Sequence, residues 1–204
     1  MSVDQVEVLV EEPSMAAALT VILPGLLGST TWAVHEHTSK QDLLKKLPNR
    51  LRGYSRWLPA TSRIVVIVDR DDDSCADLKE ELEQIALTAG LKTKSSPGRD
   101  GYTVVNRIAV EELEAWFFGD WSAVCTAYPR VDPHVPAQRG FRDPDGILGG
   151  TWEAFERVLQ RAGYFSTGLR KVEAARAVAE HMKPARNVSP SFRALRTVLE
   201  SFAQ

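Results

Sequence analysis

The fold is decided by the stretch Arg63-Ile64-Val65-Val66-Ile67-Val68-Asp69-Arg70-Asp71-Asp72-Asp73. Five consecutive apolar residues, rich in β-branched side chains, are typical of a strand that is buried on both faces, as in a parallel sheet. Four aspartates follow within five residues. Because ligands of open α/β sheets collect at the carboxyl ends of the strands, this stretch predicts a cation-dependent site at one edge of the sheet.

The composition indicates one globular domain with an elaboration, since 44% of the 204 residues are hydrophobic and 25% are charged. The two cysteines, Cys75 and Cys125, have no CxxC spacing, so neither a disulfide framework nor a zinc site is expected and a cytoplasmic location is the simplest. The apolar run at residues 19–27 is short and broken by Pro24. Neither a signal peptide nor a membrane span is therefore expected.

Charge is strongly segregated along the chain, although the net charge is only −2. Residues 39–63 hold seven bases against one acid, residues 69–84 hold eight acids against two bases, and residues 157–204 hold nine bases against three acids. An acidic centre between basic flanks suits a metal-dependent site that acts on a polyanion, because the metal neutralises the carboxylates and the flanks bind phosphate. Ordinary solvated faces would give the same pattern.

Two further predicted strands also end in acids. Residues 6–10 form the first predicted strand, with Glu11 and Glu12 at its carboxyl end. Residues 102–110 form a later one, which leads into Glu111, Glu112 and Glu114. In a chain that alternates strands and helices the strands are parallel, so all three acidic ends are expected on one edge. The sequence therefore predicts an α/β fold with a mostly parallel, Rossmann-like sheet and flanking helices.

The first predicted helix starts at Pro13, which suits the first turn of a helix because its missing N–H costs nothing there. Its apolar stripe comprises Met15, Leu19, Ile22 and Leu26. Residues 30–37 are ambiguous between a strand and a loop. Within them His35 and His37 are interpreted as solvated surface in preference to metal ligands, since no third soft ligand lies nearby.

A basic helical segment follows, whose cations are expected to bind nucleic-acid phosphates: Lys40, Lys45, Lys46, Arg50, Arg52 and Arg56. Tyr54 and Trp57 are interleaved with these cations and could stack on an unpaired base. Partial burial of Trp57 in the core is an equal alternative.

The domain organisation is predicted as a core with an extension. Residues 1–120 are expected to form the α/β core, and residues 121–204 an irregular segment and a helical C-terminal extension packed on it. The irregular part covers residues 120–150, which are rich in Pro, Gly and Arg. Helical patterns return at residues 151–162, 171–182 and 189–202.

Carboxylates from three segments predict a site for hard divalent cations, because Mg²⁺ and Mn²⁺ prefer oxygen ligands. One or two ions are expected. Two such ions, about 3.5–4 Å apart, would activate a water and stabilise the leaving oxygen of a phosphodiester.

The three strand ends together resemble the Toprim domain, the catalytic fold of topoisomerases, primases and nucleases. The segments that carry the resemblance are Val8-Leu9-Val10-Glu11-Glu12-Pro13-Ser14, Ile67-Val68-Asp69-Arg70-Asp71 and Ile108-Ala109-Val110-Glu111-Glu112-Leu113-Glu114-Ala115-Trp116. They are similar to stand-alone Toprim proteins related to the nuclease half of OLD-family (overcoming lysogenization defect) enzymes. The resemblance spans most of the chain and implies a metal-dependent nuclease that acts on DNA, partnered with an ATPase in bacterial anti-phage defence.

The resemblance also implies roles for individual residues. Glu11 would bind metal or position the attacking water, and Asp69 and Asp71 would be metal ligands. Gly168-Leu169-Arg170-Lys171 resembles the segment that carries a basic catalytic residue, so Lys171 would support the scissile phosphate. Asp72 is expected to point away from Asp71 into solvent.

Further metal ligands are implied less directly. One of Glu112 and Glu114 would complete a second metal site. OLD-type motifs usually run Glu-Gly-x-x-Glu, whereas here Glu12 replaces the glycine and Met15 stands where the second acid is expected. Glu12 or Asp73 could supply the ligand that is missing at that position.

Two other functions stay open at this stage. A catalytically degenerate Toprim-like module would bind nucleic acid or a partner ATPase without cleavage, and Met15 favours this reading. In a receiver-type or phosphatase-like Mg²⁺ fold, an aspartate of the protein itself would become phosphorylated. That fold expects a hydroxyl residue and a lysine at further strand ends, and Asp69-Arg70-Asp71 lacks the Thr of the haloacid phosphatase pattern.

Overall fold

A computed structural model describes residues 2–71 and 73–203. Its strands are β1 (Gln5–Val10), β2 (Thr31–Glu36), β3 (Ser62–Asp69) and β4 (Val104–Ala109). Its helices are α1 (Pro13–Leu27), α2 (Lys40–Trp57), α3 (Cys75–Thr88), α4 (Glu114–Gly119), α5 (Trp121–Ala127), α6 (Thr151–Arg161), α7 (Lys171–Ala179) and α8 (Pro190–Glu200). Single-turn helices cover Val135–Ala137 and Pro144–Gly146.

The strands of the described residues form one sheet of four parallel strands in the order β2-β1-β3-β4. The predicted α/β fold is therefore confirmed. β3 lies between β1 and β4, and all of its residues are buried, as its run of β-branched side chains predicts. The ambiguous residues 30–37 form β2 at an edge of the sheet, where most residues are only half-buried.

The strand register brings the acidic ends to one level. Val10 of β1 lies opposite Ile67 of β3, and Asp69 lies opposite Ala109 of β4. Glu11 therefore leaves β1 beside the last two residues of β3. Because the strands are parallel, this edge collects the chain segments that follow β1, β3 and β4.

α1 is covered on nearly every side. Its buried residues include Met15 and Leu19 of the predicted stripe, and also Ala18, Leu23 and Leu27 outside it. The helix contacts β1 and β2 as well as α7 and α8, so it lies between the sheet and the C-terminal helices. One hydrophobic cluster consequently runs from the sheet through α1 into the tail of the chain.

A second hydrophobic cluster fixes α2 and α3 to the other face of the sheet. Its helical members are Leu43, Leu47, Leu51, Leu78, Leu82 and Ala86. Full burial of each leucine contributes about 1.5–3 kcal/mol relative to exposure. Ser39 caps α2 by accepting a hydrogen bond from the N–H of Asp42 at 3.2 Å. These contacts hold the first residue of α2, Lys40, at the acidic edge.

The sequence predicts an irregular segment at residues 120–150. In the structure this segment begins with a helix and is irregular only after it. α5 occupies Trp121–Ala127 because its apolar side chains have a core to enter. Ala123 and Val124 are fully buried, and Trp121 stacks on Phe118 with ring centroids 5.2 Å apart. Among the described helices none is long and apolar enough to cross a membrane.

Candidate active site

Glu11 and Asp69 are joined at the centre of the acidic edge. Oε2 of Glu11 accepts a hydrogen bond from the backbone N–H of Asp69 at 3.2 Å. Burial raises the pKa of Glu11 to about 7, and the charges of Asp71 and Glu12 add to the effect. The Asp69 N–H and the Lys40 ammonium act in the opposite direction.

Asp69 is the most confined acid of this edge. Its side chain is buried, and its Oδ1 has no hydrogen-bond partner among the described residues. Burial raises the pKa of Asp69 well above its ordinary value, and the charges of Glu11, Glu12 and Glu114 raise it further. An unpaired carboxylate oxygen in such a pocket is unfavourable unless a proton or a cation reaches it.

Glu114 is the acid that β4 and α4 contribute. It is buried, and within the described part of the chain its Oε2 is also unpaired. Burial raises the pKa of Glu114 to about 8, the Lys171 ammonium lowers it, and the charges of Glu12 and Glu112 raise it. Glu114 thus belongs to the same electrostatic group as Asp69.

Packing gives Glu112 and Glu114 different surroundings. Oε2 of Glu112 accepts hydrogen bonds from Oγ1 of Thr151 at 3.0 Å and from the N–H of Trp152 at 2.9 Å. Glu112 therefore accepts hydrogen bonds from donors at the N-terminus of α6 that lack a partner within the helix. Burial raises its pKa, which these two hydrogen bonds oppose. Glu114 is left as the acid with an oxygen available to a ligand.

Lys171 reaches the edge from the tail of the chain. Its Nζ lies 3.7 Å from Oε2 of Glu12 and 5.1 Å from the centre of the Trp152 ring. Burial works against its charge, but the carboxylates of Glu114, Glu12, Glu112 and Asp69 prevail and raise its pKa. The packing of α7 on α1 places this ammonium among the acids.

Lys40 lies beside Asp71 and Asp73. The sequence analysis places it among the cations that bind nucleic-acid phosphates, whereas in the structure it pairs with these two acids. Nζ of Lys40 lies 2.6 Å from Oδ2 of Asp71 and 2.9 Å from Oδ2 of Asp73. The lysine is buried because it enters the loop after β3 instead of facing solvent with Lys45 and Lys46. Asp72 lies outside the described residues.

The loops after β3 and β4 are tied together in a constrained backbone. Asp71 and Glu111 adopt positive φ angles of 48° and 63°. The N–H of Asp71 donates to the carbonyl of Glu111 at 3.1 Å, and the Arg70 guanidinium pairs with the Glu111 carboxylate. Left-handed backbone at non-glycine residues persists where the surroundings over-determine it, as at ligand-binding sites.

Met15 does not point towards the acidic edge. Its side chain is fully buried in the apolar cluster around α1. An acid at this position would therefore be buried among hydrophobic groups. At the start of the same helix the Ser14 hydroxyl donates to the Glu12 carboxylate, which also lies beside Lys171 and raises the pKa values of Glu11 and Asp69.

The acids fit a hard divalent cation in their chemistry, although they are not gathered around one point. As the side chains of residues 2–71 and 73–203 stand, no three His, Cys, Asp or Glu residues form a group that could hold a metal ion. Asp69 and Glu114 nevertheless present unpaired oxygens. The raised pKa values of Glu11, Asp69 and Glu114 mark carboxylates that a cation would stabilise.

The remaining predicted cations lie along α2 as an exposed row. Lys45, Lys46, Arg52 and Arg56 are exposed and Arg50 is half-buried. At about 1.5 Å per helical residue, the row runs from about 8 Å to about 24 Å along the helix from Lys40, the residue at the acidic edge. Trp57, at the far end of the helix, is 62% exposed, so it is not part of the core.

The sequence analysis missed a polar cluster on the α2 face of the sheet. The buried carboxylate of Glu7 contacts the His35 ring and accepts a hydrogen bond from the Tyr54 hydroxyl at 3.1 Å. His35 is thus paired, not solvated, and His37 is buried with Nδ1 2.8 Å from the carbonyl of Val10. Glu7, an acid inside an apolar strand, was the signal available in the sequence.

Comparison with known proteins gives one match. The family model described as Domain of unknown function (DUF4276) matches residues 10–200, from the last residue of β1 to the last residue of α8. No curated protein and no solved structure matches the chain. The matched region contains all the acids of the edge as well as Lys40 and Lys171.

Proposed function

We propose that this chain, which belongs to the DUF4276 family, is a Mg²⁺- or Mn²⁺-dependent nuclease of Toprim type that hydrolyses DNA phosphodiester bonds. One observation carries the proposal: Glu11, Asp69 and Glu114 meet at one sheet edge beside the Lys171 ammonium. Buried acids with strongly perturbed pKa values mark functional sites more often than other positions. Acids that need a cation, next to a fixed ammonium, suit the joint binding of metal and phosphate.

Each charged group would have a role that follows from its surroundings. Glu11, Asp69 and Glu114 would hold the ion, with Glu12 as a further oxygen donor. A bound ion supplies a Lewis acid that neutralises phosphate and promotes ionisation of water. The Glu11 carboxylate would bind the ion or position the attacking water. Lys171 would donate an N–H to a phosphate oxygen and stabilise charge that develops there.

The exposed cations of α2 would guide the substrate. Lys45, Lys46, Arg52 and Arg56 form a row that starts beside the acidic edge. Such a row neutralises successive phosphates of a nucleic-acid backbone, and binding should weaken steeply as salt increases. Trp57 offers an exposed ring on which an unpaired base could stack.

A partner ATPase and a role in bacterial anti-phage defence rest on the resemblance to OLD-family enzymes, whereas a cytoplasmic location rests on the two cysteines without CxxC spacing. An ATPase that contacts the loops after β3 and β4 would control access to the site. Co-purification with the product of a neighbouring ATPase gene would support this part of the proposal.

A non-cleaving, Toprim-like binding module is the second candidate. Two observations favour it: Lys40 already neutralises Asp71 and Asp73, and the described acids are not gathered into a group of three. Such a module would use the basic row to bind nucleic acid, or the edge to bind an ATPase, without hydrolysis. It differs from the nuclease in having no metal-dependent activity.

A cleavage assay on the full chain separates the two candidates. Plasmid, linear duplex and single-stranded DNA, and RNA, are incubated with Mg²⁺ or Mn²⁺, with and without any partner ATPase. Nicking or cutting of DNA is expected, with a loss of at least a hundredfold in Asp69→Asn. Glu81→Gln, which removes an exposed acid from α3, is the matched control and should cut normally.

Cleavage that persists in Asp69→Asn after contaminants are excluded would refute the nuclease assignment. Binding of DNA without metal-dependent cleavage by the wild-type chain or its ATPase complex would instead support the binding module.

A further inference from the structure

Lys40 has a place at the acidic edge that neither its sequence context nor the proposed nuclease mechanism assigns. We propose that its ammonium permanently occupies the second cation position, so that the centre takes a single divalent ion beside Glu11 and Asp69. This inference rests on the proposed function. It converts the expected two-metal centre into a centre with one metal ion and one lysine.

The contacts of Lys40 use its whole donor capacity. An ammonium has three N–H donors and no acceptor. Nζ of Lys40 contacts three oxygens, namely Oδ2 of Asp71 at 2.6 Å, Oδ2 of Asp73 at 2.9 Å and the carbonyl of Arg70 at 3.2 Å. These three oxygens all lie within 3.2 Å of the Nζ atom. Side-chain and carbonyl oxygens in such an arrangement are the ligands of a hard cation, and here the cation is the lysine.

The position of Lys40 in its helix makes its role specific. It is the first residue of α2, and a positive charge at a helix N-terminus is disfavoured by the helix dipole. Its side chain is only 8% exposed, so its charge is also partly removed from water. Both costs are offset by Asp71 and Asp73, whose carboxylates are the principal groups that raise the pKa of Lys40.

A divalent ion would not readily displace this ammonium. Displacement would leave the largely buried ammonium without its two carboxylate partners, which is unfavourable. Lys40 is anchored as the first residue of α2, which Ser39 caps and whose Leu43 is fully buried. The outer acids, Asp71 and Asp73, are thereby paired with the lysine, whereas Asp69 and Glu114 of the inner acids keep unpaired oxygens.

The ammonium also acts on the inner acids. The Lys40 charge lowers the pKa of Glu11 and so favours its ionised form. Lys40 thus supplies positive charge at the place where a second ion would otherwise help to balance the substrate phosphate. Lys171 stands on the opposite flank, beside Glu12. The ammonium groups of Lys40 and Lys171 therefore both lie among the acids of this edge.

The stoichiometry of Mn²⁺ binding tests the inference without reference to activity. Mn²⁺ is titrated into the metal-free full chain at neutral pH, and bound ions are counted by electron paramagnetic resonance and calorimetry. One ion per wild-type chain is expected. Lys40→Met should bind two, because Asp71 and Asp73 lose their cation. Lys45→Met, which removes an exposed lysine from the same helix, should still bind one.

Two further variants cover the case in which Lys40→Met does not fold. Lys40→Arg keeps the positive charge and should bind one ion. Asp71→Asn should also keep one ion with an affinity within about fivefold of wild type, and asparagine tolerates the positive φ of this residue. Loss of Mn²⁺ binding in Asp71→Asn would show that Asp71 is a metal ligand and would overturn the inference.

The inference and the proposed function fail in different ways. Two ions bound to the wild-type chain, or one ion bound to a folded Lys40→Met variant, would overturn the lysine role while leaving a metal-dependent nuclease intact. Absence of Mn²⁺ binding in every variant, together with absence of cleavage, would overturn both.

Discussion

The backbone N–H of Asp69 donates a hydrogen bond to Oε2 of Glu11 at 3.2 Å. This bond joins the last residue of β3 to the first acid after β1 and brings two carboxylates into one buried pocket. The bond itself favours ionised Glu11, but burial and the charges of Asp71 and Glu12 outweigh it and raise the pKa of Glu11 to about 7. The two carboxyl groups are therefore held close together where burial disfavours their charges, which makes this edge sensitive to cations and to pH.

Replacing Glu11 by glutamine should separate stability from metal binding. Glutamine keeps an oxygen that can accept the N–H of Asp69 but removes a charge that is unfavourable without a cation. We expect the metal-free Glu11→Gln protein to melt at a higher temperature than wild type at pH 8, and its affinity for Mn²⁺ to fall at least tenfold. Thermal unfolding with and without Mn²⁺ measures both effects.

The control for this experiment is Glu81→Gln on the exposed side of α3, which should change neither quantity. An unaltered Mn²⁺ affinity in Glu11→Gln would contradict the role of Glu11 as a metal ligand.

The free energy of unfolding of the metal-free protein should fall as the pH rises from 5 to 8. Burial raises the pKa of Glu114 from 4.5 to about 8, so the folded state keeps a proton that the unfolded state has released. This contribution to stability is complete below pH 4.5 and is lost as the pH rises through 8. Because one pKa unit corresponds to about 1.4 kcal/mol, the fall should be easily measured by urea unfolding in a chelator.

Glu114→Gln should flatten this pH profile, since the glutamine does not titrate. Saturating Mn²⁺ should stabilise the wild-type protein more at pH 8 than at pH 5, because protons and the ion compete for the same oxygens. A profile that Glu114→Gln leaves unchanged would show that another group controls the pH dependence.

Replacing Lys171 by methionine should impair cleavage more than metal binding. The ammonium lies among the carboxylates of Glu12 and Glu114, so its loss increases their repulsion and should strengthen or preserve the binding of Mn²⁺. The single-turnover cleavage rate should fall about a hundredfold, as after removal of a single donor that stabilises the transition state. Parallel measurement of Mn²⁺ affinity and cleavage rate distinguishes this role from a structural one.

The matched control for Lys171→Met is Lys183→Met, which removes an exposed lysine of the tail. Equal losses of Mn²⁺ affinity and cleavage rate in Lys171→Met would point to damage of the site as a whole.

Truncating Phe192 should destabilise the whole molecule and not only the tail. Its ring is fully buried against Trp116, with centroids 5.3 Å apart, inside the cluster that also contains the sheet and α1. We expect Phe192→Ala to lower the free energy of unfolding by about 3–5 kcal/mol in a single transition. Val188→Ala, at an exposed position, should change it by less than about 0.5 kcal/mol. Two separate unfolding transitions would contradict a shared core.

The inner strand was predictable and the edge strand was not, for a physical reason. β3 is buried on both faces, so every residue of its apolar run is under the same constraint. β2 has a neighbour on one side only, and its residues are partly exposed. Polar residues such as His35 are tolerated there, which removes the hydrophobic pattern by which a strand is recognised.

The alternation of strands and helices, and with it the collection of acids from three strand ends at one edge, followed from the sequence alone. Strand periodicity and the handedness of the crossovers can be inferred from the sequence. They place Glu11, Asp69 and Glu114 at one edge of the sheet whatever the details of side-chain packing. Only the tertiary structure decided the use of each acid. The N-terminus of α6, which lies far along the chain, engages Glu112 and leaves Glu114 unpaired.

The same limit applies to the lysines. In the sequence Lys40 resembles Lys45, because nothing near either residue tells a buried ammonium from an exposed one. Tertiary structure brings the loop after β3 onto Lys40 and leaves Lys45 in solvent. Sequence patterns report which face of an element is apolar, whereas the pairing of charges depends on segments that meet only when the chain has folded.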